Sequence, residues 1–167
     1  MAVKAQRRIL LLTGTALAFA GQCAAAELKT PLQQCTQPDC GATVVVGRIN
    51  RSDAEGIANL QIPWAAQIFA LKNECLRLRV TAQTSDTELV VVAPGTQRAW
   101  RSDGSGGDCP TCPLLKIRTF NNESGWFLVQ VNETSGGAVN GDFTLKFARY
   151  ATSNPNCNSP SVPLPAP

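Results

Sequence analysis

Eight short apolar or alternating segments follow one another between Thr43 and Tyr150, and clusters of Gly, Asn, Ser and Asp separate them. The alternation is clearest in two segments, where every second residue is large and apolar: Leu76, Leu78 and Val80 in one, and Phe143, Leu145 and Phe147 in the other. Successive side chains of a β-strand point to opposite faces, so this period of two indicates strands with one buried face. No sequence window sustains the 3.6-residue period of an amphipathic helix. The sequence therefore predicts an all-β fold, an eight-stranded antiparallel β-sandwich.

The predicted strands cover residues 43–49, 62–71, 75–83, 87–93, 98–100, 114–120, 125–131 and 142–150. On their N-terminal side, residues 27–41 contain two prolines and a close cysteine pair, which predicts an irregular arm. On their C-terminal side, residues 151–167 are rich in proline, which predicts an extended tail outside the core. We expect the β-sandwich domain to occupy residues 42–150.

The first 26 residues have the three parts of a secretory signal peptide. These are a basic start (Lys4, Arg7, Arg8), an apolar run of 12 residues (9–20) and a small-residue cleavage motif (24–26). Twelve residues are too few to cross a bilayer as a helix. We expect cleavage after Ala26 and a periplasmic or secreted protein. A lipid anchor at Cys23 is the alternative, because "AGQC" at 20–23 resembles a lipoprotein box.

Loss of this leader changes the charge balance of the chain. Of the 15 Lys and Arg residues, three lie in the leader, so 12 remain against 12 Asp and Glu. A chain without net charge has no basic field to hold nucleic acid or an anionic membrane. We therefore expect no nucleic-acid partner and no membrane insertion after the leader is removed. The remaining 141 residues suit a single domain with one core.

Six of the seven cysteines remain in the exported chain, and an even number in an oxidising compartment indicates disulfides. Six cysteines allow 15 connectivities. Because short loops close most easily, we predict the pairs Cys35–Cys40 and Cys109–Cys112, which leaves Cys75–Cys157.

The pair at 109–112 lies in "DCPTCP" and has the spacing of a redox motif. A redox site of this kind lies between a strand and a helix, but here "SDGSGG" precedes the motif and a proline follows each cysteine. The surroundings therefore favour a structural disulfide in a loop. A zinc site built from Cys35, Cys40, Cys109 and Cys112 is the other alternative, although an oxidising compartment favours disulfides over thiolates.

Four stretches in succession resemble the bacterial pre-peptidase C-terminal domain. They are "IPWAAQIFALKNECLRLRV", "TELVVVAPGTQRAWRSDG", "SGWFLVQV" and "GDFTLKF", and the resemblance covers residues 44–147. It implies a compact, jelly-roll-like β-sandwich in a secreted bacterial protein. It also implies a role in binding partners or substrates rather than in catalysis.

Histidine is absent from the chain, which excludes catalysis by a Ser-His-Asp or Cys-His pair. Asp86 and Glu88 are two residues apart on a predicted strand and share a face, so a hydrolase that uses paired carboxylates is an alternative function. Asp103 and Asp108 flank "GSGG" in a loop and are weak candidates for calcium ligands. The sequence indicates no cofactor and no definite metal site.

The binding candidates are aromatic residues beside arginine. Trp126 lies on the opposite face of its strand from Phe127, and Trp100 is followed by Arg101. An exposed tryptophan can stack on a sugar ring or anchor a protein partner. Trp100, Arg101 and Trp126 are therefore the predicted contact residues.

The predicted function is a non-catalytic binding or accessory module for an unidentified protein or carbohydrate. Two alternatives stay open at this point: the hydrolase, and a structural envelope protein without a small ligand.

Overall fold

The computed structural model describes residues 27–29, 43–52, 60–62, 64–96, 98–104, 109–134 and 141–165. They form the strands β1 (Glu27–Lys29), β2 (Thr43–Ser52), β3 (Leu60–Ile62), β4 (Trp64–Ala70), β5 (Glu74–Gln83), β6 (Thr87–Val92), β7 (Ala99–Ser102), β8 (Leu114–Arg118), β9 (Gly125–Glu133) and β10 (Gly141–Ala151). A single turn of 3-10 helix follows at Pro155–Cys157. Within these ranges, no helix is long and apolar enough to cross a membrane.

The strands form two five-stranded sheets, sheet A in the order β1-β4-β9-β6-β7 and sheet B in the order β3-β2-β10-β5-β8. Neighbouring strands are antiparallel except β1 and β4, which are parallel. Without the short strands β1 and β3, the quartets β4-β9-β6-β7 and β2-β10-β5-β8 have the winding of a jelly roll. The predicted eight-stranded, jelly-roll-like β-sandwich is confirmed, and β1 and β3 add a strand to each sheet.

The core lies between the inner faces of the two sheets. The residues predicted to face inward on β5, β9 and β10 are all buried: Leu76, Leu78, Val80, Phe127, Val129, Val131, Phe143, Leu145 and Phe147. Trp64 packs at the margin, where its ring meets the Phe143 ring edge-on at 5.4 Å between centroids. Gly47 on β2 lies under the same phenylalanine ring, which would collide with any larger side chain there.

The N-terminal arm contains a strand that the sequence pattern did not predict. Residues 27–29, expected to be irregular, form β1 and pair with β4 through contacts such as Leu28 opposite Gln67. Without β1, the outer edge of β4 would offer unpaired backbone groups, and an extended segment can satisfy them. Residues 30–41 of the predicted arm and the predicted signal peptide lie outside the described residues.

The C-terminal tail is also more ordered than an extended tail. The Ser161 N–H donates to the Lys116 carbonyl at 2.9 Å, and the Leu164 N–H donates to the Ala99 carbonyl at 2.7 Å. Lys116 lies on β8 and Ala99 on β7, which are edge strands of sheets B and A. The tail therefore crosses the open side of the sandwich and pairs with both edges, because uncovered edge strands leave backbone groups without partners.

Two of the three predicted disulfides are confirmed. Cys75 is bonded to Cys157, with 82 residues of sequence separation and 6.1 Å between the Cα atoms, and Cys109 is bonded to Cys112. The first bond attaches the helical turn to β5, and Cys157 is buried beside Ala148 and Tyr150. The second bond joins the two sulfurs of the CxxC motif within one loop. The predicted pair Cys35–Cys40 lies outside the described residues.

Candidate functional site

The outer face of sheet A carries a group of apolar side chains, with the amides of Gln67 and Gln130 on the same face. On β4, β9 and β6 these residues alternate with the core residues and so point away from the core. The strand register aligns Phe69 with Trp126, Leu128 with Val92, and the polar Gln130 with Val90. We call this set the apolar strip; its members are Phe69, Trp126, Leu128, Val92 and Val90. All five are partly exposed, and Trp126 is 39% exposed.

The Trp126 ring is held in place by its neighbours on two strands. Phe69 contacts it edge-on, with 5.3 Å between ring centroids and an interplanar angle of 69°. Gly125 directly before it has a φ of +148°, and a Cβ there would lie 3.2 Å from the Pro94 ring. A side chain at position 125 would therefore be strained and crowded. The glycine lets β9 begin close to Pro94 and presents the indole on the outer face.

A charged pair lies at the other end of the strip. Arg101 pairs across the strands with Val90, and its Nε donates to the Glu88 Oε2 at 2.6 Å. The second Glu88 oxygen accepts from the Asn132 amide at 3.1 Å. The Arg101 side chain is 51% exposed, whereas that of Glu88 is 13% exposed. Glu88 thus holds the exposed guanidinium of Arg101 beside the strip. Many protein interfaces have this arrangement, in which polar residues surround an apolar centre.

Trp100 is buried, so the expectation that its side chain is exposed for contact is wrong. Its side chain is 1% exposed and belongs to the core between the sheets. The period of two in a strand explains the error, because neighbouring residues such as Trp100 and Arg101 cannot both point outward. The structure therefore brings Arg101 and Trp126 to the same outer face and places Trp100 beneath it.

Arg98 covers the buried tryptophan at the end of the sandwich. Its guanidinium carbon lies 4.8 Å from the Trp100 ring centroid and 4.6 Å from that of Phe120. Its Nη1 donates to the Glu123 Oε1 at 2.7 Å, and the Glu123 side chain is fully buried. Glu123 also accepts from the Thr96 hydroxyl and the Phe120 N–H. Arg98 therefore has a structural role in this region.

The two carboxylates considered for hydrolysis, Asp86 and Glu88, differ in their contacts. Both oxygens of Glu88 accept hydrogen bonds, from Arg101 and Asn132. Asp86 precedes β6, and its backbone carbonyl accepts from the Thr134 N–H. Asp108, the second weak calcium candidate, lies outside the described residues, so Asp103 is described alone. In the described ranges, no group of three or more His, Cys, Asp and Glu residues is arranged to hold a metal ion.

The role of Phe69 could not be recognised from the sequence. It is one of several apolar residues in the segment 62–71, and nothing local distinguishes it from the core residues Ile68 and Ala70. Its position opposite Trp126 depends on the pairing of β4 with β9. That pairing joins segments far apart in the chain, and it is the signal that identifies the strip.

Comparisons with known proteins give one structural similarity. No protein-family model matches the chain, and no curated protein matches its sequence. Among solved structures, the chain is similar to PliG of Aeromonas hydrophila, described as a periplasmic lysozyme inhibitor of g-type lysozyme. The sequences are 18% identical, the TM-score is 0.43, and the match covers 74% of this chain and 99% of that chain.

Proposed function

We propose that this chain is an exported, non-catalytic module that binds a protein partner through the apolar strip of sheet A. The observation that carries the proposal is the exposed Trp126, fixed against Phe69 on a rigid β-sheet. Tryptophan is enriched among residues that dominate binding energy, and such residues lie at well-packed interface centres. Because Phe69 already packs against the indole, Trp126 loses less conformational freedom when a partner binds than an unsupported side chain would.

The composition of the strip favours a protein over a carbohydrate. Leu128, Val90 and Val92 are aliphatic and offer neither donors nor acceptors to sugar hydroxyls. Gln67 and Gln130 are the polar side chains next to these residues, so most hydroxyl groups of a sugar would lack a partner at the centre of this surface, and buried polar groups need hydrogen-bond partners. An apolar centre bordered by the ion pair of Arg101 and Glu88 instead matches the usual arrangement of protein interfaces.

Three other predictions from the sequence bear on this proposal: the family resemblance, the hydrolase alternative and export. The resemblance to the pre-peptidase C-terminal domain stays a prediction and is compatible with a binding role. The hydrolase alternative is disfavoured because Glu88 is engaged by Arg101 and Asn132. Signal-peptide cleavage after residue 26 and export to the periplasm or medium stay part of the proposal.

The proposal predicts a large and selective effect of Trp126→Ala. With the exported protein immobilised and a partner isolated from envelope extract, Kd should rise about 30-fold, equivalent to roughly 2 kcal/mol at an interface hot spot. The melting temperature should stay within about 2 °C of the wild type, because the side chain is on the surface rather than in the core. Calorimetry and surface binding measure both quantities.

Val44→Ala is the matched control, because Val44 is an apolar residue that is 54% exposed on sheet B. It should leave Kd unchanged. Equal partner binding by wild type and Trp126→Ala would contradict the proposal. If no protein partner is found and a glycan array gives a signal that depends on Trp126, the ligand is a carbohydrate rather than a protein.

A further inference from the structure

The outer face of sheet B contains a cavity of about 210 Å³ between β5 and β10. Arg77, Arg79 and Thr81 line it from β5, and Lys146 and Tyr150 line it from β10. The strand register places Lys146 directly opposite Arg79, and residue 148 opposite Arg77. Three cationic side chains therefore converge on one concavity of a sheet, on the opposite side of the molecule from the apolar strip.

The residues that line the cavity include three cations and no acid. Acidic and basic residues are equal in number outside the predicted leader, yet no acidic residue lines this cavity. Asp142, on the same strand as Lys146, is bound by Arg48 at 2.7 Å. An anion in the cavity would offset the positive charges of Arg77 and Lys146.

Two donors at the cavity lack acceptors within the described part of the chain. The Arg77 Nε is buried and has no hydrogen-bond partner there. Lys146, which is exposed and lies opposite Arg79 on the neighbouring strand, forms no hydrogen bond or ion pair with those residues either. Buried donors in proteins are nearly always satisfied, so a buried guanidinium N–H without an acceptor indicates a place for a ligand oxygen.

An apolar cavity of about 170 Å³ adjoins this site along the same two strands. Val46, Ala82 and Phe143 line it together with the polar residues Gln83, Thr84, Thr144 and Asp142, the last of which is paired with Arg48; Val46 is 77% exposed. The pairing of β5 with β10 shifts between Thr144 and residue 145, and such a bulge bends a strand locally. Thr81 lies at the shift and separates the cationic cavity from the apolar one.

From this arrangement we infer a binding site for a small amphiphilic anion. Its phosphate or carboxylate oxygens accept hydrogen bonds from Arg77, Arg79 and Lys146, and its hydrocarbon part occupies the cavity beside Val46. Guanidinium groups suit such oxyanions because their N–H donors match the spacing of the oxygens. This site does not depend on the protein-binding proposal, because it shares no residue with the apolar strip.

Titration calorimetry of the exported protein with hexyl phosphate, hexanoate and inorganic phosphate tests the inference. Hexyl phosphate or hexanoate should bind, and the stronger of the two identifies the headgroup. Arg77→Gln and Lys146→Gln should each raise its Kd at least about tenfold, since a charge-assisted hydrogen bond is lost. Val46→Ser should weaken the amphiphile but not inorganic phosphate.

Arg118→Gln is the matched control, because Arg118 is an exposed arginine on sheet B that does not line the cavity. It should change Kd less than about twofold, as should Trp126→Ala, because neither side chain touches the ligand. Absence of binding by both hexyl phosphate and hexanoate overturns the inference, whether or not inorganic phosphate binds. So does an equal loss in Arg77→Gln and Arg118→Gln, which would indicate nonspecific attraction to a basic surface.

Discussion

Replacement of Cys75 and Cys157 together by serine is expected to lower the free energy of unfolding by about 4 kcal/mol. The bond closes a loop with a sequence separation of 82, and cross-links across long loops restrict the unfolded chain most. It also attaches the helical turn from which the tail reaches the edges of β8 and β7. Urea unfolding of the exported protein, followed by tryptophan fluorescence, measures the loss.

The serine variant of Cys109 and Cys112 is the matched control for this prediction. That bond spans a sequence separation of only 3, so its removal should cost less than about 2 kcal/mol. Equal losses in the two double variants would show that loop length does not determine the contribution of these bonds. An unchanged midpoint in the first variant would show that the tail is held without the disulfide.

Substitution of Glu74 by alanine is expected to destabilise the fold by about 3–5 kcal/mol, the usual cost of removing one partner from a buried ion pair. Arg149 donates to both Glu74 oxygens at 2.7 Å, and the two side chains are 10% and 5% exposed, respectively. The Leu71 N–H also donates to this carboxylate. Without Glu74, the Arg149 guanidinium is left buried without its carboxylate partner. Urea unfolding measures the loss.

A double variant separates the destabilisation caused by an unpaired buried charge from the stabilisation that the Glu74–Arg149 ion pair contributes. Glu74→Met combined with Arg149→Leu should recover much of the stability lost in Glu74→Ala, because two apolar side chains leave no buried charge. Arg48→Ala, at an ion pair whose side chains are 59% and 50% exposed, should barely move the unfolding midpoint. A double variant as unstable as Glu74→Ala would contradict this explanation.

The strands and their inner faces were predictable because they depend on local alternation. The burial of Leu78 and Phe147 follows from the period of two, and so does the outward direction of Trp126. The short β1 could not be predicted in this way, because its pairing depends on the free edge of β4. The tail is a similar case: proline content indicates an extended chain but not which edge strands it will contact.

The candidate sites were only partly predictable for the same reason. Trp126 and Arg101 were identified as candidates by residue type, and they lie on the same face. Trp100 is buried because it is next to Arg101 in a strand and therefore points to the opposite face. The cationic cavity requires Lys146 to lie opposite Arg79, and this pairing joins strands that are distant in the chain. Disulfide pairing was easier to predict, since loop length alone favoured the bond within "DCPTCP".

Hydroxyl-radical footprinting of the exported protein, free and bound to its isolated partner, tests the binding face most directly. In the free protein Trp126 should be oxidised readily, whereas the buried Trp100 should resist oxidation. In the complex, Trp126 and Leu128 should become protected, while Val46 on sheet B should be oxidised to the same extent in both states. Unchanged oxidation of Trp126 on binding, together with protection on another surface, would contradict the proposal that this protein binds its partner through the apolar strip.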